Sequence, residues 1–308
     1  MIILLSGMLA VQPVERTITA PGPSAALSGT LTDAGPKSPV VLIIPGSGPT
    51  DRDGNSPLGV KASTYRLLAE GLAAQGVSSV RIDKRGMFGS KAAVADANKV
   101  TIADYAADTA SWVSSIRKAT GAKCVWLIGH SEGGLVALSA AQHPNGICGV
   151  ITIAAVGRKF GAVMREQLRA NPANAPILDA ALKTIDSLEA GKKVAAANLP
   201  VALRTLFADD VQPFIINLFA EDPAGLAAGL KLPLLIVQGD QDIQVTVDDA
   251  KALAAAHPKA SLALLPGVNH VLKMPAGDDR AANLRAYADP ALPIAPAVVE
   301  AIARFVKG

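Results

Sequence analysis

The chain has 308 residues, half of them hydrophobic and 18% charged, which excludes a disordered polymer and leaves room for a large buried core. Its 29 basic and 26 acidic side chains nearly balance, and the basic ones are scattered, so a nucleic-acid partner is not expected. Beyond the first ten residues no apolar run reaches the roughly 18 residues of a membrane span, and stable membrane insertion is not expected either.

Those first residues, Met1 to Ala10, are apolar and end in alanine, like the last part of an export signal that lacks its basic leading segment. The alternative is a strand or helix packed on the body, so cytoplasmic and exported locations both stay open. Two short strands are predicted next, around Arg16 to Ala20 and Ala25 to Thr32, and Pro39 to Pro45 reads as a fully buried third. A helix begins near Ser63 as its cap residue, carries Leu67, Leu68 and Leu72 on one face and stops at Gly76. Strand Val77 to Ile82, helix Thr101 to Lys118, strand Lys123 to Ile128, a helix to Gln142 and strand Gly149 to Ala155 follow in alternation.

The rhythm changes from Gly157 to Leu230, where helices near Phe160 to Ala170, Ile177 to Ala190 and Val211 to Phe219 have no strand between them. Alternation returns with strand Pro233 to Gly239, helix Thr246 to Ala256, strand Ser261 to Leu265 and helix Ala295 to Lys307. The pattern is that of an α/β protein with a mostly parallel sheet, helices on both faces and an inserted helical cap. The expected division is residues 1–156 as the first part of the core, with 1–12 as the signal remnant, residues 157–230 as the cap, and 231–308 as the second part of the core. Cys124 and Cys148 begin two strands expected to be neighbours. Two small buried thiols are the first reading and a disulfide the second.

Chemistry concentrates after the strands. Gly129-His-Ser131-Glu-Gly133 fits Gly-x-Ser-x-Gly between a buried strand and an apolar helix, the context in which a tight turn pushes serine into an open cleft. The flanking glycines are needed because side chains there would strike the neighbouring strand and helix. A serine hydroxyl needs a base. Of four histidines, His143 and His257 end predicted helices as His-Pro and His130 points into the fold, which leaves His270 in the loop after the last strand. An acid should follow the strand ending at Gly239, and Asp240 and Asp242 both qualify. Asp240, directly after the strand, is the better turn stabiliser, and Asp242 is better placed to reach the histidine loop. For the oxyanion formed in acyl transfer, the Glu132 N–H supplies one donor and the loop Pro45-Gly46-Ser47-Gly48 the other, through Ser47.

With these residues in hand, the sequence resembles the α/β-hydrolase superfamily over almost its whole length. More narrowly it resembles bacterial serine carboxylesterases with a Gly-Ser-Gly-Pro-x-Asp-Arg-Asp-Gly-Asn loop, here Gly46 to Asn55. Asp83-Lys-Arg-Gly86 with Gly89 and Ser90, the turn Gly129 to Gly134, Asp242 to Val245 and Asn269-His270 also match. The resemblance implies an esterase with no metal and no cofactor, Ser131, Asp242 and His270 as its triad, and a helical cap over the cleft. Within the loop, Thr50 to Asn55 is read either as a hydrogen-bonded turn holding Ser47 or as a wall beside the substrate. The expected activity is hydrolysis of small or medium acyl esters, with polyesters in the wider range. An acyl thioesterase and a non-catalytic binding protein on the same scaffold are the alternatives. Acyl length and oligomeric state are not legible.

Overall fold

The computed structural model describes residues 13–308, and the segment read as a signal remnant lies outside them. The chain runs β1 Val14–Ala20, β2 Leu27–Asp33, β3 Val40–Ile44, β4 Asn55–Ser56, β5 Val60–Lys61, α1 Thr64–Ala74, β6 Ser78–Ile82, α2 Ile102–Thr120, β7 Val125–His130 and α3 Glu132–Ala140. It continues with β8 Ile147–Ile153, α4 Phe160–Ala170, α5 Leu178–Glu189, α6 Gln212–Ala220 and α7 Pro223–Gly229. The chain closes with β9 Leu234–Gly239, α8 Val247–Ala256, β10 Ser261–Leu265, α9 Arg280–Ala286 and α10 Pro296–Lys307.

Eight strands form one sheet in the order β1-β2-β6-β3-β7-β8-β9-β10. The first two pair antiparallel to each other and β2 pairs antiparallel to β6, while the remaining six strands are parallel. Parallel neighbours require crossovers, and helices provide them on both faces. Successive residues of β3 divide accordingly. Leu42 and Ile44 join the apolar layer under α2, α3 and α8, and Val41 and Ile43 join the layer under α1 and α10. Helix α10 commits Val298, Val299, Ile302 and Val306 to the second layer, each such burial contributing about 1.5–3 kcal/mol.

Register decides which loops meet. Ile44 pairs with Gly129, so the loop after β3 and the turn after β7 leave the sheet side by side. Gly239 pairs with Leu265, so the loops after β9 and β10 do the same. All four emerge at the C-terminal edge of the parallel strands, the ordinary place for a site in such a sheet.

The region 157–230 contains α4 to α7 with short 3₁₀ turns and no strand. Helix α2 opens as its sequence suggests, with a capping box in which Thr101 Oγ1 accepts from the Asp104 N–H and Asp104 returns the bond, and it closes on Gly121 at φ 74°. Ser63 departs from expectation. It sits in a left-handed conformation and makes no side-chain cap. The carbonyl of Asp53 instead accepts from the N–H groups of Tyr65 and Arg66, so a loop from elsewhere takes over the capping. The two cysteines are joined as Cys124–Cys148, the second of the two readings, across the N-terminal ends of β7 and β8.

Candidate active site

The strand β7 ends in a turn that depends on the glycines at its two ends. A Cβ on Gly129 would overlap the Gly133 carbonyl, and one on Gly133 would overlap the Ile44 carbonyl. Between them Ser131 adopts φ 54° and ψ −123°, a region that costs a non-glycine residue roughly 1–3 kcal/mol and persists where the surroundings enforce it. The enforcement is visible: the Ser131 N–H donates to Ile153 O at 2.9 Å and its carbonyl accepts from Gly134 N at 2.9 Å. The turn leaves the side chain half-buried at the wall of a cavity of about 150 Å³ that Ser47, Tyr65, His270 and Tyr287 also line.

His270 and Asp242 meet behind that wall. His270 Nδ1 and Asp242 Oδ2 lie 2.8 Å apart, both side chains buried, while Asp242 Oδ1 accepts from the Gln244 and Val245 N–H groups at 2.8 and 2.9 Å. Asp240 plays a different part, since its Oδ1 accepts from Gly267 N at 2.7 Å and steadies the turn after β10. Asn269 anchors the histidine loop by accepting from Lys273 N and reaching Asn283 of α9. His143 and His257 lie just ahead of β8 and β10, at the other edge of the sheet.

His130 joins the three loops. Its Nε2 faces the His270 carbonyl at 2.8 Å, and because a carbonyl only accepts, Nε2 carries the proton. Its bare Nδ1 then accepts from the Tyr65 hydroxyl at 2.9 Å, and the Tyr65 oxygen accepts from the Gly46 N–H at 2.9 Å. One chain of hydrogen bonds thus runs from the loop after β3 through the serine turn to the His270 backbone. Burial, reinforced by the nearby His270, pushes the His130 pKa from 6.5 down to about 3. Burial also raises the Tyr65 hydroxyl well above its ordinary range, so it stays a donor.

The depressed His130 pKa makes stability pH-dependent. Between 6.5 and about 3 the unfolded chain takes up a proton that the folded chain refuses. This contribution is complete above the unfolded pKa and is lost as pH falls. At pH 4.5 the loss is about 3 kcal/mol at 1.36 kcal/mol per pKa unit. Urea denaturation at pH 7 and pH 4.5 is expected to show a smaller acid loss for His130→Asn than for the parent. An equal loss in both would remove His130 as its source.

The loop Thr50 to Asn55 is pinned throughout. Asp51 Oδ1 accepts from the N–H groups of Asp53 and Asn55, Arg52 pairs with Asp83, Asp53 pairs with the buried Arg81, and Thr50 Oγ1 donates to Ser47 O at 3.0 Å. Thr50 and Gly54 also line the cavity, so the loop is both a braced turn and a wall.

The described residues bring Ser131, His270 and Ser47 to one cavity with Asp242 behind, whereas the Glu132 side chain points away and is 1% exposed. The Glu132 N–H opens α3. Among the described residues neither that amide nor the Ser47 N–H is taken by a protein acceptor. The cavity's other walls are not in residues 157–230. They come from Val60 of β5, from Gln244, and from Val271 and Tyr287. Gln167 of α4 reaches the rim by donating to Gln244 O at 2.8 Å. Tyr65 and Tyr287 went unnoticed in the sequence because an apolar helix face and an unassigned loop explain them equally well. Among the described residues no group of three or more His, Cys, Asp or Glu side chains could hold a metal ion.

An eight-stranded, mostly parallel sheet with a strained serine after its fifth strand in sequence order is the architecture of one class of enzyme folds. Residues 40–286 match the model of the Alpha/beta hydrolase family, and the chain belongs to that family. Over 239 residues it is 28% identical to Esterase EstD of Thermotoga maritima, an alignment covering 76% of this chain and 53% of that protein. The chain therefore spans about half the length of the curated relative it matches. Among solved structures, it resembles Est1E from Butyrivibrio proteoclasticus with a TM-score of 0.58 at 18% identity, covering 94% of this chain and 97% of that one. A thermophilic esterase from Thermogutta terrifontis gives a TM-score of 0.55 at 16% identity, covering 96% and 98%. At such identities these likenesses concern the fold.

Proposed function

We propose that the chain is a serine carboxylesterase that hydrolyses small or medium acyl esters through an acyl-enzyme. Family membership and the likeness to Esterase EstD support ester hydrolysis. The observation that carries the mechanism is His270, with Nδ1 on the buried Asp242, lining the same cavity as the strained Ser131.

With the proton on Nδ1 held by Asp242, His270 Nε2 keeps its lone pair for the Ser131 hydroxyl proton. Ser131 Oγ attacks the acyl carbon, and the resulting oxyanion accepts from the N–H groups of Ser47 and Glu132, the latter at the positive end of α3. His270 returns the proton to the departing alcohol. Water then repeats the sequence on the acyl-enzyme and releases the acid. A cavity of about 150 Å³ favours short acyl groups, since drug-sized ligands occupy roughly 300 Å³ or more. Residues 157–230 serve as a cap and 13–156 with 231–308 as the core in this reading.

The test is a p-nitrophenyl ester series of increasing acyl length, run beside matched acyl thioesters, with fluorophosphonate labelling read by peptide mass. Fastest turnover on short oxygen esters and a label on Ser131 are expected. Faster thioester turnover would make the chain a thioesterase, and no turnover with Ser131 unlabelled would overturn the enzymatic reading.

A further inference from the structure

We propose that Lys84 is a positioning residue for the oxyanion site, acting through the Gly46–Ser47 peptide; the inference rests on the esterase reading above. Lys84 follows β6, and its side chain is 3% exposed. Its Nζ donates to Gly46 O at 2.7 Å and to Glu132 Oε1 at 3.3 Å, and lies 5.2 Å from the centre of the Tyr105 ring. An ammonium withdrawn from water this far is costly unless every partner is well placed. Its partners here are Glu132, one of the two residues assigned to the oxyanion, and the carbonyl of the peptide whose N–H belongs to Ser47, the other.

The geometry of one peptide unit explains the placement. Gly46 C=O and Ser47 N–H belong to the same rigid plane and point in opposite directions. Fixing the carbonyl on a buried ammonium therefore aims the Ser47 N–H the other way, and Ser47 lines the cavity. The preceding Pro45–Gly46 peptide is held as well, its N–H donating to the Tyr65 hydroxyl, so the chain entering the unit is fixed as firmly as the unit's own carbonyl. Gly46 also packs tightly on the nucleophile turn, since an added Cβ there would stand 3.1 Å from Ser131 Cβ.

Polarisation adds to orientation. A positive charge on the carbonyl oxygen draws electron density through the amide and makes its N–H a stronger donor in a site of low dielectric. The charge on Lys84 is balanced by Glu132, whose own N–H is the second assigned donor. Its Oε2 has no hydrogen-bond partner among the described residues, so Lys84 carries the polar contact of that buried carboxylate. One lysine thus ties together the two loops that face the developing charge.

A merely structural ion pair would predict something different, and the experiment separates the two. Lys84→Met alone leaves Glu132 unpaired and risks the fold, so Lys84→Met is made in a Glu132→Gln background and compared with Glu132→Gln, with melting curves for both. Relative to Glu132→Gln, the double variant is expected to lose roughly 10²-fold in kcat on p-nitrophenyl acetate with KM nearly unchanged. It should weaken by a similar factor toward a trifluoromethyl ketone, which forms an oxyanion on Ser131, while binding of the product carboxylate moves little. Lys84→Gln in the same background keeps a neutral donor on Gly46 O, is less demanding on the fold and should fall between the two. Folded variants with the kcat and ketone affinity of Glu132→Gln would overturn the proposal, as would equal loss toward ketone and product. Failure of the parent to hydrolyse esters or bind the ketone at Ser131 would instead overturn the esterase reading.

Discussion

Ser131→Ala is expected to lower kcat for ester hydrolysis by roughly 10⁶-fold while leaving the melting curve almost unmoved. The fall corresponds to about 8 kcal/mol of transition-state stabilisation, far beyond what a change in packing at one half-buried side chain could supply. Stability should survive for two reasons. The Ser131 Oγ has no hydrogen-bond partner among the described residues, and alanine carries the same backbone strain at φ 54° as serine. The measurement is initial rate on p-nitrophenyl acetate beside a melt, with the residual rate checked for parent contamination by fluorophosphonate titration. A folded variant that still turns over at a tenth of the parental rate would mean that Ser131 is not the nucleophile.

For Asp242→Asn a fall of roughly 10⁴-fold in kcat is expected, and the cause is the histidine tautomer. An asparagine amide can donate to His270 Nδ1, which drives the ring proton to Nε2 and leaves no lone pair facing Ser131. The Asn Oδ1 can still accept from Gln244 and Val245, so the turn should hold. Asp240→Asn provides the contrast, because its carboxylate is spent on Gly267 N and its loss should cost activity no more than about tenfold, the equivalent of 1.4 kcal/mol. Reversal of the two outcomes would exchange their roles.

The serine turn was legible because Gly-x-Ser-x-Gly announces a steric problem that only glycines solve, and the overlaps at Gly129 and Gly133 are that problem in three dimensions. Strands β3 and β9 were legible as apolar runs, Val40 to Ile44 and Leu234 to Val237, since both their faces are covered. Other features carry no such signal. Strands β4 and β5 have two residues each, too short for any alternation to register, and yet Val60 of β5 walls the cavity. Ser63 looked like a cap because serine often is one, but the carbonyl that takes its place belongs to Asp53, ten residues earlier. The tie from Lys84 to Gly46 spans 38 residues and depends on the strand order β6-β3-β7, which no local pattern encodes.

The covalent bond between Cys124 and Cys148 has a bearing on how the molecule comes into being. Disulfides last in oxidising compartments and are reduced in an ordinary cytosol. The same chain made in the two surroundings is therefore two chemical species, differing by two hydrogen atoms at the ends of β7 and β8 remote from Ser131. Any preparation of this protein has a redox history, and that history belongs to the description of the sample as much as its buffer does.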